Sequence, residues 1–303
     1  MAKFEKKKIE HNQTHICCPV CDTNVKTISY VYRNNNTQSD FYSCKNCSFI
    51  FARTELIESL DERQMDSVDD AEMFNSPFLK KLYTLLFIKT ELRKLRKHAT
   101  QKTMKLLDIG CGTGWTTSVY SQNGFNVTGL EPSTIRAEIA REKYNLTIIN
   151  DYIENISKTE KFDIIVLRHF LEHLSNPKTV ISKIQSSITK KGYIVIVVPN
   201  INSLGRYLFE TDWTWVLPWH CSFFSPDSIR ILMEKSNFEV LECYQTPSPL
   251  YFMESLLRKI SKKKLTTFFH NKPFFAKIIS AFFSSIGTMA GKGENVTIIA
   301  RKK

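Results

Sequence analysis

One short stretch, residues 105–114, constrains the fold more strongly than any other part of this 303-residue chain. Apolar residues lead into an acid, and three glycines then alternate: Asp108, Gly110, Gly112 and Gly114. Glycine permits positive φ angles and a close approach of a ligand to the backbone. The N–H groups at the start of a following helix favour a negatively charged ligand group. The stretch therefore predicts the first strand, tight turn and helix of an α/β sheet, with a ligand at the turn.

A second acidic residue supports the same interpretation. Glu131 lies 21 residues after Gly110, at the end of the strand-like run 126–130. A carboxylate there suits a ribose diol, because it accepts both hydroxyl hydrogens. The acid-x-Gly-x-Gly-x-Gly pattern resembles the first motif of the class I S-adenosylmethionine-dependent methyltransferases more than the Gly-x-Gly-x-x-Gly turn of NAD-binding domains.

The resemblance implies a doubly wound, mostly parallel, seven-stranded Rossmann-like sheet over residues 100–303, with a helical insertion at about 247–293. It also implies S-adenosyl-L-methionine as cofactor. Asp151, after the third strand, takes the place of an acid that hydrogen-bonds the adenine amino group, although a simple loop carboxylate is the alternative. Residues 168–174 resemble the fourth motif, with its Leu-Glu-His. The cofactor-binding set expected by resemblance is Asp108, Gly110, Cys111, Gly112, Gly114, Glu131, Asp151, Arg168 and His169.

The alternation of strand and helix patterns predicts the remaining elements of this domain. We expect strands at 105–109, 126–130, 146–149, 162–167, 193–198, 238–243 and 294–300. We expect helices at 115–123, 133–144, 177–188 and 227–236. The run 162–167 is continuously apolar apart from Asp163, as in a strand buried on both faces.

Two Cys-x-x-Cys pairs lie near the N-terminus, separated by 22 residues: Cys18, Cys21, Cys44 and Cys47. Four thiolates make a closed tetrahedral zinc site, so residues 1–52 are predicted to be a zinc-ribbon-like module with a structural Zn²⁺. A disulfide pair and a redox dithiol are the alternatives, and Cys17 and His15 are spare ligands. Cys111, Cys221 and Cys243 are expected to be small buried residues.

Residues 53–99 are interpreted as an acidic linker followed by a basic amphipathic helix over 77–99. Packing on the neighbouring domain is the expected use of that helix, and contact with a membrane is the alternative. In the class I methyltransferases that the chain resembles, helices placed before the first strand help to form a lid over the cofactor.

The substrate side is predicted from residues 202–224, a long aromatic connection carrying three tryptophans. These rings either stack on a sugar or aromatic acceptor, or close the core. His173 and His220 are the candidate catalytic bases, because neutral imidazole is a good proton acceptor near pH 7. The alternative for each histidine is a structural hydrogen bond.

Charge and length limit the partners. The net charge is +12, mostly in short runs, which fits solvated helix faces better than a nucleic-acid surface. No signal peptide or spanning helix is expected, so we expect a cytoplasmic protein. The Phe-rich segment within 258–286 packs internally, forms a dimer contact or meets the inner face of the membrane, and these interpretations stay open.

The expected function is methyl transfer from S-adenosylmethionine to an oxygen or carbon atom of a small molecule. The expected substrate class is a sugar or a lipid-linked glycan precursor. A nucleic-acid or protein methyltransferase and a non-catalytic cofactor-binding protein are the alternatives. Nucleic acid is not expected as substrate, because no Asn/Asp-Pro-Pro-Tyr/Phe motif follows the fourth strand. The oligomeric state is left open.

Overall fold

The structure of the chain is a computed structural model with an N-terminal β module and a larger α/β domain. It describes residues 3–10, 16–25, 27–33, 38–52, 81, 83–101, 103–156, 159–217, 219–261 and 273–303. The start of the helix expected at 77–99 and most of the acidic linker fall outside these ranges, as does His15.

The N-terminal module contains six short strands. They are β1 (Lys3–Glu10), β2 (Ile16–Cys17), β3 (Asn24–Val25), β4 (Thr27–Arg33), β5 (Gln38–Ser43) and β6 (Ile50–Ala52). β1, β4, β5 and β6 form an antiparallel sheet in that order, while β2 pairs with β3. β3, β4 and β5 lie between the two cysteine pairs, and residues 34–37, which join β4 to β5, lie outside the described residues.

The α/β domain follows the expected alternation. Its first half comprises a π-helical turn (Thr84–Ile88), α1 (Lys89–His98), β7 (Lys105–Ile109), α2 (Trp115–Gln122), β8 (Asn126–Leu130), α3 (Thr134–Tyr144), β9 (Thr147–Ile149) and β10 (Phe162–Arg168). Its second half comprises α4 (Pro177–Ser187), β11 (Ile188–Pro199), α5 (Leu204–Phe209), β12 (Ser222–Phe223), α6 (Pro226–Lys235), β13 (Phe238–Thr246), α7 (Pro249–Ser261), α8 (Pro273–Met289) and β14 (Asn295–Lys302). Short 3₁₀ turns cover Ile153–Asn155, Leu171–His173 and Glu210–Asp212.

The main sheet has seven strands in the order β13-β14-β11-β10-β7-β8-β9. β14 is antiparallel to both of its neighbours, and the pairs from β11 to β9 are parallel. This mixed sheet with helices on its faces confirms the predicted Rossmann-like architecture. The carboxyl ends of β7, β8, β9 and β10 meet at one edge, where such a sheet places its ligands.

The central strands β10 and β11 are buried on both faces, which explains why continuous apolar runs predicted them. Side chains 164–167 of β10 and 194–196 of β11 are fully buried, as expected for strands covered on both faces. β11 begins at Ile188, five residues before the strand expected at 193. Ile188 pairs with Phe162 of β10 and Tyr193 with Ile164, and a register shift lies between these two pairings.

The β module is continuous with the α/β domain. β12 pairs antiparallel with β6, so a strand of the aromatic connection extends the N-terminal sheet. The Ala52 backbone N–H also donates to the Cys221 carbonyl at 2.8 Å. On the other side, Lys178 and Lys235 pair with Asp22 at 3.1 and 2.7 Å. The module therefore buttresses the segment that carries His220.

The expected helical insertion contains α7 and α8, which pack on each other and on α5. α8 buries small residues, Ser280, Ser284 and Gly287, and leaves much of its apolar stripe outside: Ile278, Phe282, Phe283 and Ile286 are each at least 41% exposed. Internal packing is therefore the wrong interpretation for these four side chains. Within the described residues, no helix is long and apolar enough to cross a membrane.

Candidate active site

The glycine turn after β7 has the backbone conformation that its composition predicted. Gly110, Gly112 and Gly114 have φ angles of +70°, +55° and +79°. A Cβ on Gly114 would lie 2.7 Å from the Ala140 Cβ, so this glycine lets α2 approach α3. A Cβ on Gly112 would meet no atom within 4 Å, so the middle of the turn faces open space.

Two carboxylates frame this turn. Glu131, at the end of β8, accepts the Gly112 N–H at 2.8 Å and the Ser133 N–H at 3.1 Å. Asp108 is buried and accepts the Thr117 hydroxyl at 2.7 Å. Burial raises the pKa of Asp108 to about 6. Helix α2 begins after Gly114 without a side-chain cap, so its first N–H groups are not satisfied by a capping side chain.

Asp151 and Cys111, two further residues of the expected cofactor-binding set, have different surroundings. Asp151 lies beyond β9, where its Oδ1 accepts the Tyr152 N–H and the Asn155 side-chain N–H, both at 2.7 Å. The adenine contact expected of Asp151 stays a prediction. Cys111 is buried against Gly129, and burial raises the pKa of its thiol. A small buried residue is the role that the structure gives to this side chain.

Arg168 ends β10 but is turned towards α1. Its guanidinium donates to Glu91 at 2.5 Å and to the Tyr120 hydroxyl at 3.2 Å, and Tyr120 also donates to Glu91. All three side chains are largely or fully buried. The expected contact of Arg168 with the methionine part of the cofactor stays a prediction. What the geometry provides is a tie between β10 and the helix before the sheet.

His169 heads a polar and aromatic cluster. It has φ of +51°, and its Nδ1 lies 3.2 Å from Oε1 of the fully buried Glu172. Its ring stacks on Trp215 with a centroid distance of 4.7 Å and an interplanar angle of 15°. Tyr251 of α7 packs on Trp215 as well, with the two ring centroids 4.2 Å apart. A carboxylate beside Nδ1 favours the tautomer in which Nδ1 carries the proton and Nε2 carries the lone pair.

His173 and His220, the predicted bases, lie side by side with ring centroids 4.8 Å apart. His220 is buried, and its Nδ1 lies 2.8 Å from the Trp215 carbonyl, which can only accept a hydrogen bond. Burial, reinforced by the neighbouring His173, lowers the pKa of His220 to about 3. An imidazole with so low a pKa is a weak proton acceptor, which argues against His220 as the base. The role of His173 as a base stays a prediction.

Glu172 Oε2 and Trp215 Nε1 are buried polar atoms with no hydrogen-bond partner among the described residues. Glu172 was not among the predicted site residues, whereas the tryptophans of residues 202–224 were predicted either to stack on the acceptor or to close the core. Glu172 was visible inside the Leu-Glu-His motif, but its burial was not. Trp215 is one of three tryptophans in this connection. The structure gives it surroundings different from those of Trp213, which is fully buried and donates a hydrogen bond to Glu294 in the core.

The four expected cysteines come together in the β module. Cys18 Sγ lies 3.6 Å from Cys47 Sγ, and Cys21 Sγ lies 3.4 Å from Cys44 Sγ. These distances exclude disulfides and match thiolates around one zinc ion, which sit about 3.7 Å apart when each bond is about 2.3 Å. The two Cys-x-x-Cys pairs share one backbone pattern. The N–H of Asp22 donates to the Cys18 carbonyl, and the N–H of Ser48 donates to the Cys44 carbonyl. Cys17 is exposed and outside the group.

A methyltransferase domain family model matches residues 81–243, more than half of the chain. The chain belongs to this family. The match spans the turn after β7, the acid after β8, the cluster after β10 and the aromatic connection. With the seven-stranded sheet, it makes the protein a class I S-adenosylmethionine-dependent methyltransferase, as the first motif predicted.

Individual relatives are distant. The chain is 22% identical over 164 residues to a ubiquinone biosynthesis O-methyltransferase of Rickettsia bellii (strain OSU 85-389), covering 50% of this chain and 68% of that protein. It is 31% identical over 101 residues to the enzyme of the same name from Actinobacillus pleuropneumoniae serotype 7 (strain AP76), covering 30% and 43%. A SAM-dependent methyltransferase structure from Archaeoglobus fulgidus superposes with a TM-score of 0.51 at 18% identity, covering 78% of this chain and 98% of that one. That likeness shows the fold.

Proposed function

We propose that this protein transfers a methyl group to a hydroxyl oxygen of a small ring-containing molecule that binds beside His169 and Trp215. The observation that carries the proposal is the His169–Glu172 pair at the carboxyl end of β10, with the imidazole stacked on Trp215. A carboxylate-oriented imidazole is the arrangement used to accept a proton from a nucleophile. Its place at the ligand edge of the sheet supports assigning it to the acceptor.

The residues present fit S-adenosylmethionine, which supplies a methyl group already activated on a positively charged sulfur. Gly112 leaves open space at the turn, and the uncapped start of α2 offers N–H groups to a carboxylate. Glu131 keeps acceptor capacity for a ribose diol, since each carboxylate oxygen has two lone pairs. In this proposal Asp108, Gly110, Cys111, Gly114 and Asp151 complete the cofactor site.

The acceptor side has a proton acceptor and a hydrogen-bond donor. His169 Nε2 takes the hydroxyl proton, while Glu172 holds Nδ1 and stabilises the imidazolium. Trp215 Nε1, buried and without a partner among the described residues, donates a hydrogen bond to an acceptor oxygen. Burying this indole N–H without a partner costs free energy that a bound ligand would recover. Trp215 and Tyr251 form the wall on which a ring can pack.

An oxygen acceptor is favoured over carbon by one further fact. The two relatives described above are named for O-methylation in ubiquinone biosynthesis. A sugar hydroxyl and a phenolic hydroxyl both suit the aromatic wall and the imidazole, so a sugar or lipid-linked glycan precursor remains the narrower prediction. Peripheral contact with the membrane through residues 258–286 also stays a prediction, and the exposed apolar stripe of α8 supports it.

The cysteine group holds one structural Zn²⁺ in this proposal. Four soft thiol ligands at the observed separations fit zinc and leave no open coordination position. A module with a small core gains from such an ion the free energy that its packing cannot supply. The zinc therefore supports the fold and takes no part in methyl transfer.

The proposed function is tested by following S-adenosylhomocysteine formation with a panel of phenolic and sugar acceptors. For an acceptor that is turned over, His169→Gln is expected to lower kcat by about 10²- to 10⁴-fold, the usual value of general base catalysis. Its affinity for S-adenosylmethionine is expected to stay unchanged. His98→Gln, a histidine outside the cluster, is the matched control. Full activity in His169→Gln would remove the assigned base.

A further inference from the structure

A second group of metal-binding side chains lies outside the cysteine module. Glu172, His173 and His220 each offer one ligand atom, and these atoms all lie within 4.8 Å of one another. Glu172 and His220 are buried, and His173 is half-buried. We propose that these three side chains bind one divalent transition-metal ion next to the acceptor site.

The donor set selects the class of ion. Two imidazole nitrogens and one carboxylate oxygen suit Zn²⁺, Mn²⁺, Co²⁺ or Fe²⁺, whereas Mg²⁺ and Ca²⁺ prefer oxygen ligands throughout. Three protein ligands also leave at least one coordination position open, as in metal sites that bind a substrate. The cysteine site has no such position, so the two sites differ in chemistry.

The orientation of the side chains supports ligation. Because the Trp215 carbonyl takes the Nδ1 proton of His220, the lone pair of this ring is on Nε2. A ligating histidine commonly donates its other ring N–H to a backbone carbonyl, which fixes the tautomer and the ring orientation. Glu172 uses only Oε1 for His169, and its buried Oε2 has no hydrogen-bond partner among the described residues. A cation there would satisfy an oxygen that is otherwise costly to bury.

The spacing is close to that of a bound ion. Bonds of about 2.0–2.2 Å place tetrahedral ligands about 3.4 Å apart. The three atoms of this cluster lie within 4.8 Å, so closing on an ion requires shifts on the order of 1 Å. The His173 and His220 rings meet edge to face at 80°, which allows a nitrogen of each to point into one space.

The ion's contribution to catalysis rests on the proposed function, while its binding does not. An acceptor hydroxyl at the open position becomes more acidic, as water does on a bound divalent ion. The proton passes to His169 and then to solvent, and an oxygen lone pair forms the new bond to the methyl carbon. The electron pair of the breaking sulfur–carbon bond stays on sulfur, which becomes a neutral thioether. No oxidant or reductant is needed.

The experiment uses the full chain with its cysteine site loaded with zinc, and Mn²⁺ as the probe, because thiolates do not favour Mn²⁺. Metal analysis comes first, followed by Mn²⁺ titration monitored by calorimetry and by electron paramagnetic resonance. We expect one Mn²⁺ per chain beyond the zinc, with at least a tenfold loss of affinity in Glu172→Gln and in His220→Gln. Two metal ions per chain as purified, falling to one in both variants, would support the site equally.

The matched control is His98→Gln, which is expected to bind Mn²⁺ like the unmodified chain. The absence of a second ion in the unmodified protein would overturn the proposal, and so would affinities that neither variant changes. Calorimetric titration of S-adenosylmethionine into the same samples separates the two proposals. Manganese binding without cofactor binding contradicts the proposed function alone, and cofactor binding without a second metal ion contradicts the metal site alone.

Discussion

The Ser225 hydroxyl donates a hydrogen bond to the backbone carbonyl oxygen of Cys47 at 3.0 Å. Ser225 is the N-cap of α6 and accepts the Ser228 N–H, while Cys47 is one of the four clustered thiols. This buried contact joins the cysteine site to a helix of the methyltransferase domain. Together with the pairing of β6 and β12, it makes the N-terminal module a structural support for the acceptor side of the site.

The first prediction follows from this support. Cys44→Ser removes one zinc ligand, and we expect it to lower the free energy of unfolding by at least about 3 kcal/mol and to lower the zinc content. Cys17→Ser, at an exposed cysteine outside the cluster, is expected to change neither. Urea unfolding and metal analysis check both variants. Equal stabilities of the two variants would show that the four thiols do not hold a stabilising ion.

The second prediction concerns the open space at the glycine turn. Gly112 and Gly291 have φ of +55° and +70°, and a Cβ on either meets no atom within 4 Å. Alanine at each position is expected to destabilise the fold by a similar amount, about 1–2 kcal/mol, because both need left-handed backbone. Only Gly112→Ala is expected to weaken S-adenosylmethionine binding, by tenfold or more. Calorimetry checks this, and equal affinities in the two variants would place the cofactor elsewhere.

The third prediction is a pH dependence of stability caused by Asp108. Burial raises its pKa from 3.8 to about 6 in the folded chain. Between these values the unfolded chain loses the proton first, so rising pH favours unfolding, and this contribution to stability is lost across that interval. The change, relative to Asp108→Asn, is expected to be about 3 kcal/mol.

Urea unfolding of the unmodified chain and Asp108→Asn between pH 4 and pH 7 measures the difference. A gain in relative stability with rising pH would mean that the Asp108 carboxylate is stabilised by its surroundings, contrary to the account.

The fourth prediction concerns the buried pair that ties β10 to α1. Glu91→Gln leaves the Arg168 guanidinium buried without its anionic partner, and the expected loss is about 3–5 kcal/mol. Arg168→Met is expected to cost a similar amount. The double variant Glu91→Gln/Arg168→Met is expected to lose much less than the sum, because no uncompensated charge remains. Strictly additive losses in chemical unfolding would show that the two side chains do not interact.

Local sequence signals predicted much of the domain. β7 and β8 match the expected bounds residue for residue, because an apolar run followed by glycines, and another followed by an acid, define both ends of a strand. Ser133 and Pro226 similarly mark the starts of α3 and α6. The cysteine spacing predicted four thiols that do meet.

What sequence patterns did not provide depends on contacts between distant parts of the chain. The His169–Trp215 stack joins residues 46 positions apart, and no periodicity encodes which tryptophan faces the histidine. Arg168 ends the expected strand, but no local pattern encodes its buried ion pair with Glu91 on α1. The apolar pattern of α8 likewise did not reveal its packing face, since the described part of that helix buries Ser280 and Ser284.

The most direct test of the account is calorimetric titration of S-adenosylmethionine and S-adenosylhomocysteine into the zinc-loaded chain, beside Glu131→Gln and the exposed control Glu138→Gln. We predict binding with a Kd in the micromolar range, about −8 kcal/mol, for the unmodified chain and for Glu138→Gln. We predict a loss of tenfold or more in Glu131→Gln, which keeps the shape but removes the charge and one acceptor oxygen. Absence of binding by the folded, unmodified chain would contradict the central claim that the edge formed by β7 and β8 holds this cofactor.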